Sequence, residues 1–132
     1  MSYTNYIKTY FTRHSGKFCE AERIQNLYTY FMKQGFVYIM ANDRPTLYTG
    51  VTSDLVKRVW QHKNHVVDGF TAKYNLNKLV YFEILTDIST AIIREKQIKD
   101  MNRIDKLKMI RKFNSAFKDL YYEILDKPEW QN

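Results

Sequence analysis

From residue 36 onward the chain shows two alternating hydrophobic periodicities. "FVYIMA" (36–41) and "TLYTGV" (46–51) are short runs rich in β-branched and aromatic residues. The turn formers "NDRP" lie between them, so the pattern predicts a β-hairpin. "SDLVKRVWQHKN" (53–64) changes to helical spacing, with Ser53 as the expected N-cap and Asp54 in the first turn. "VVDGFTAKYNLN" (66–77) carries Gly69 and two asparagines and reads as loop. "KLVYFEIL" (78–85) is a strand, and residues 89–101 and 104–113 are two further helices. "NSAFKDLYYEI" (114–124) adds a short one. The order β-β-α-β-α-α predicts an α+β domain, a small sheet flanked by helices.

Residues 1–34 have a different texture. Only "CEAERIQNLYTYFMK" (19–33) shows weak helical spacing, through Ala21, Ile24, Leu27, Tyr28 and Phe31. The expected organisation is an N-terminal extension (1–34), a folded domain (35–125) and a tail (126–132), with Met32 an alternative start.

Side chains alternate faces along a strand. A three- or five-residue loop puts Tyr38 opposite Tyr48 on one face; a four-residue loop puts the two phenols on opposite faces. Tyrosine is a favoured strand residue, so an aromatic pair on a hairpin is ordinarily packing. In the helix 53–64 the apolar stripe is Leu55, Val56, Val59 and Trp60. Arg58 and His62, four apart, share a face at its edge. Arginine offers a planar fork to a phosphate and histidine a proton site near neutral pH, although such a pair on a helix flank is also an ordinary solvated pair. In the helix 89–101, Glu95 falls inside the stripe marked by Ala91, Ile92 and Ile98. Carboxylates are rarely buried unless paired or metal-bound. Glu95 therefore either meets a cation such as Arg58 or faces a cleft and holds a metal ion.

Composition narrows the field. The 132 residues carry a net charge of +7, which favours anionic partners. Residues 94–112 hold eight Lys/Arg against three Asp/Glu, although such a run is also an ordinary solvated helix face. The single cysteine, Cys19, excludes an intrachain disulfide and a cysteine zinc cluster, and suits a reducing, cytoplasmic setting. No apolar run reaches the length of a membrane span, so no membrane role is expected.

Taken together, Phe36-Val37-Tyr38, Tyr48-Thr49-Gly50, Arg58, His62 and Glu95 resemble the GIY-YIG nuclease superfamily. "GVTSDLVKRVWQHKN", "GFTAKYN" and "KLVYFE" resemble its small stand-alone bacterial branch, and the likeness runs on through "NSAFKDLYYEI". Phe36 replaces the first glycine of the name motif and Thr49 the isoleucine of the second. Val51 stands where some branches have a lysine, a charge that Lys73 could supply.

The resemblance implies a three-stranded antiparallel sheet and metal-dependent hydrolysis of a phosphodiester, with DNA the expected substrate. Tyr38, Tyr48, Arg58, His62 and Glu95 are the implied catalytic set. Glu95 would hold a divalent metal, Mg²⁺ first and Mn²⁺ as a substitute, and Arg58 would stabilise transition-state charge. Tyr48 is the first choice to accept the water's proton, with His62 the alternative. A phenol has an ordinary pKa of about 10 and needs positive charge beside it for that role. Arg58, Lys73, Arg103 and Lys106 are the expected nucleic-acid contacts. A partner protein could supply target selection. The competing expectations are a non-catalytic nucleic-acid binding module on the same fold, and an interaction protein in which these residues are core.

Overall fold

The computed structural model describes residues 34–67 and 69–126. The expected helix at 19–33, the Met32 start, and all of the tail but its first residue lie outside the described residues. The elements are β1 (Gly35–Ala41), β2 (Leu47–Thr52), α1 (Leu55–Lys63), α2 (Phe70–Lys73), β3 (Lys78–Leu85), α3 (Ile88–Asp100), α4 (Arg103–Phe113) and α5 (Tyr121–Leu125). The strands form one antiparallel sheet in the order β2-β1-β3.

The central strand β1 is buried along its whole length because helices cover both faces of the sheet. On one face Phe36, Tyr38 and Met40 pack with Leu55 and Val59 of α1 and with Tyr121 and Ile124 of α5. On the other, Val37, Ile39 and Ala41 pack with Ala91 and Ile98 of α3 and Ile110 of α4. The architecture is the expected one.

The hairpin register pairs Ala41 with Leu47, leaving a five-residue loop. Asn42 organises it, its Oδ1 accepting from the backbone N–H of Arg44 (3.0 Å) and Thr46 (2.9 Å). The two phenols share a face, as a five-residue loop requires. They are not directly opposed, however: Tyr38 faces Gly50 and Tyr48 faces Met40. A Cβ on Gly50 would lie 2.6 Å from both Cζ and Oη of Tyr38, so the ring extends across the strand into space that only glycine leaves open.

Several local expectations are corrected. The N-cap of α1 is Asp54, not Ser53; its carboxylate accepts from the N–H of Lys57 at 3.1 Å. Thr52 Oγ1 accepts from the N–H of Asp54, which holds the exit from β2 one residue further along. The stripe of α1 is Leu55, Val59 and His62, whereas Trp60 is exposed. The segment 66–77 contains the single-turn helix α2, too short to show a period. α3 and α4 begin one residue earlier than expected, at the caps Asp87 and Asn102. Within 114–124 only the end is helical. The buried Asn114 instead ties the preceding turn to β3 by donating to the Val80 carbonyl.

The start of α3 lies against β1 at Gly35, where a Cβ would meet Ala91 Cβ and the Asp87 carbonyl at 2.5 Å and Ile88 Cα at 2.9 Å. Backbone cannot yield as a flexible side chain can. Gly35→Ala is therefore expected to destabilise the domain by about 1–3 kcal/mol through overpacking. A thermal melt checks this; an unchanged melting temperature would show that α3 shifts freely against the sheet.

Candidate active site

The site forms where β1, β2, α1 and α2 meet. The Tyr38 hydroxyl lies 2.8 Å from His62 Nε2, and His62 Nδ1 lies 2.9 Å from Thr71 Oγ1. This chain is buried, with His62 1% exposed. The position of His62, three residues beyond Val59 on the inward stripe of α1, carries its ring under the sheet. Tyr48 completes the cluster, its ring centroid 6.3 Å from Tyr38 and 5.5 Å from His62.

Charge surrounds these neutral rings. Burial, reinforced by Arg58, lowers the His62 pKa to about 4, so the imidazole is neutral at physiological pH. Burial also pushes the Tyr38 phenol far above its ordinary range. Nearby Tyr48 and Glu95 add to the rise, while Arg58 opposes it. Tyr38 thus senses both Arg58 and Glu95. Tyr38 and His62 hold their protons fixed around neutrality, and Tyr48 is the half-buried phenol beside them.

Glu95 lies on the inward stripe of α3, between Ala91 and Ile98, and is 9% exposed. Its ion-pair partner is Lys99, one turn along the same helix, and not Arg58. Ile92, expected in that stripe, is exposed. The Lys99 ammonium is about half exposed and can leave the carboxylate without disturbing the core. Among the described residues no three His, Cys, Asp or Glu side chains converge as a metal cage. Glu95 can offer a single carboxylate, a donor set that suits a hard, well-hydrated cation such as Mg²⁺ and not zinc.

The expected nucleic-acid contacts are dispersed. Arg58 is half-buried at the site. Lys73 is exposed at the end of α2 and lines a cleft with the hairpin loop. Arg103 donates to the Pro45 carbonyl at 2.7 Å, so part of its guanidinium is engaged with that loop. Lys106 is half-buried on α4. Sequence reasoning missed Thr71. Its signal was present in "GFTAKYN", where a lone threonine follows a glycine–phenylalanine pair, but only the structure shows what it bonds.

The GIY-YIG catalytic domain family model matches residues 34–108. A UPF0213 protein of Syntrophus aciditrophicus is 37% identical over 84 residues, covering 61% of this chain and 93% of that protein. One from Staphylococcus epidermidis is 40% identical over 80 residues, covering 61% and 98%. One from Clostridium perfringens is 36% identical over 88 residues, covering 67% and 92%. No solved structure matches the chain significantly. Among the described residues no helix is long and apolar enough to cross a membrane.

The buried imidazole has a measurable consequence. Because the folded-state pKa lies below the ordinary value of about 6.5, the unfolded chain takes up this proton first. The stability tied to neutral His62 is complete above about pH 6.5 and is lost as pH falls toward 4. Ring carbon shifts of His62 are expected to stay at their neutral values until pH approaches about 4. A midpoint near 6.5 would show that the Tyr38–His62–Thr71 chain is open to water.

Proposed function

This chain belongs to the GIY-YIG family, a nuclease superfamily whose substrate is nucleic acid, and from that premise we propose that it is a metal-dependent endonuclease acting on DNA. The observation that carries the reading is the convergence of Tyr48, Arg58 and the buried Thr71–His62–Tyr38 chain, with the Glu95 carboxylate close enough to act on Tyr38. A core built only for packing has no need of a carboxylate, a guanidinium and an ordered relay of hydroxyl, imidazole and phenol at one place.

Hydrolysis requires a water oxygen to attack phosphorus, the P–O3′ bond to break, and the water's proton to go to a base. Tyr48 is that base, acting as its phenolate, directly or through a second water. The relay explains why. Tyr38 has one hydroxyl proton. Donated to Tyr48, it leaves the Tyr38 oxygen to accept from His62 Nε2–H, while His62 Nδ1 accepts from the Thr71 hydroxyl. Each donor then points toward Tyr48 and stabilises negative charge there. His62, neutral and engaged at both nitrogens, orients Tyr38 and is a poor base. Arg58 binds a phosphate oxygen and stabilises the charge that grows on it in the transition state. Glu95 would hold a divalent cation, Mg²⁺ first, which when bound would supply polarisation of the phosphate and neutralisation of the departing 3′ oxygen.

Plasmid nicking with and without Mg²⁺ tests the activity. Glu95→Gln is expected to abolish metal-dependent nicking while preserving the melt and DNA binding; full activity in a folded variant would remove Glu95 from the mechanism. Arg58→Ala should lower kcat by about 10²–10³ and weaken binding much less. Equal losses in both would make Arg58 a binding residue only.

Affinity for duplex DNA should fall steeply with salt, because the charge of +7 has no separate base-reading module visible in the sequence. The log–log slope is expected near −0.9 for each phosphate neutralised. Salt-insensitive, tightly sequence-selective binding would contradict a phosphate-dominated interface.

A further inference from the structure

Beside the site, the hairpin loop and α2 enclose an open cleft of about 520 Å³, lined by Asn42, Arg44, Lys73 and Tyr74 among others. Its walls are tied together: Asn42 Nδ2 donates to the Tyr74 carbonyl at 2.8 Å, while its Oδ1 holds the hairpin loop. A row of aromatic rings leads from the site into this cleft. Phe70 stacks on Tyr48 at 6.4 Å and 28°, and Tyr74 lies 4.6 Å from Phe70.

Both outer rings remain open to solvent, Phe70 at 46% and Tyr74 at 42% exposure. Core packing does not account for them, since α2 is anchored inward by the buried Thr71, and Leu76 fills the core behind it. Two cations line the cleft against one carboxylate, Asp43, which Lys78 engages; Arg44 is exposed and Lys73 lies 5.5 Å over the Tyr74 ring.

We propose that this cleft is a subsite for an unstacked nucleotide flanking the bond to be cut, its base against Tyr74 and Phe70 and its phosphate on Arg44 and Lys73. Exposed rings next to cations form a stacking platform that takes any base, because every base has a π-face. The pre-tied loop spares the cost of ordering the cleft on binding. The proposal rests on the nuclease reading for its place beside the reacting phosphate. It adds a specific demand on the substrate, that one nucleotide near the cut leave its stack.

The test pairs a protein change with a substrate change. Affinities of the full-length protein for a DNA oligonucleotide are measured by fluorescence anisotropy, alongside the same oligonucleotide carrying one abasic position at a time. Tyr74→Leu removes the ring without touching Tyr48, and a thermal melt verifies its fold. With the wild-type chain, one abasic position should cost about tenfold or more in affinity. With Tyr74→Leu the intact oligonucleotide should bind about equally more weakly, and the abasic position should then cost nothing further. Additive losses at every position, or unchanged affinity of Tyr74→Leu, would overturn the subsite. Should Tyr74→Leu melt early, Arg44→Ala with Lys73→Ala provides the second arm, expected to lower the salt slope by about 1 for the single phosphate they share; an unchanged slope would overturn the phosphate half. The nuclease reading fails separately. Coupling without any cleavage refutes the activity and leaves the subsite, while cleavage without coupling does the reverse.

Discussion

The hydrogen bond between the Tyr38 hydroxyl and His62 Nε2 constrains the rest of the domain. Both groups are polar and nearly sealed from water, and a buried polar group without a partner costs about 1–3 kcal/mol. The contact therefore sets several positions at once. It needs glycine at position 50, because the Tyr38 ring lies across that backbone. It needs the inward stripe of α1 to end on His62, and it needs a hydroxyl at the far nitrogen, which draws Thr71 and α2 against the sheet. A break at any link leaves the next group unpaired in a dry interior.

That dependence explains how the site divides its work. The neutral relay occupies the covered side, where burial holds its protons in place. Charged groups approach it separately: Arg58 from the flank of α1 and Glu95 from α3, the helix on the other face of the sheet. Because α3 packs on the opposite core, Glu95 carries its own counter-charge in Lys99 and draws none from the face that holds Tyr38 and His62.

The sequence made the architecture legible because each strand and long helix has a distinct period, and the five-residue loop kept both phenols on one face. It also located Glu95 on the buried stripe of α3, where a carboxylate conflicts with its apolar surroundings. What it obscured has physical causes. The register differs from the expected one by two residues, because a loop of 42–46 sets Tyr38 opposite Gly50, where the missing side chain leaves room for its ring; only a three-residue loop would set it opposite Tyr48. His62 read as a flank residue because its polarity hides an inward position that three-dimensional packing satisfies. α2 is one turn long, so no period could announce it, and Thr71 gains its meaning only from a ring nine residues away. The cap of α1 moved to Asp54 through a contact with Thr52, which helix signals alone do not encode.

The complete burial of β1 bears on how such a chain can diversify. Seven consecutive residues are packed against helices from both sides, so almost any exchange there disturbs a core. The hairpin tip and the outer side of α2 are free of that constraint, yet they border the Tyr38–His62–Thr71 cluster. Descendants of this fold can therefore alter the rim while the buried cluster stays fixed beneath it. Drift should concentrate at positions 43–46 and 70–75 apart from the inward-facing Thr71, and should largely spare Asn42, which ties the loop to α2, and the buried strand β1.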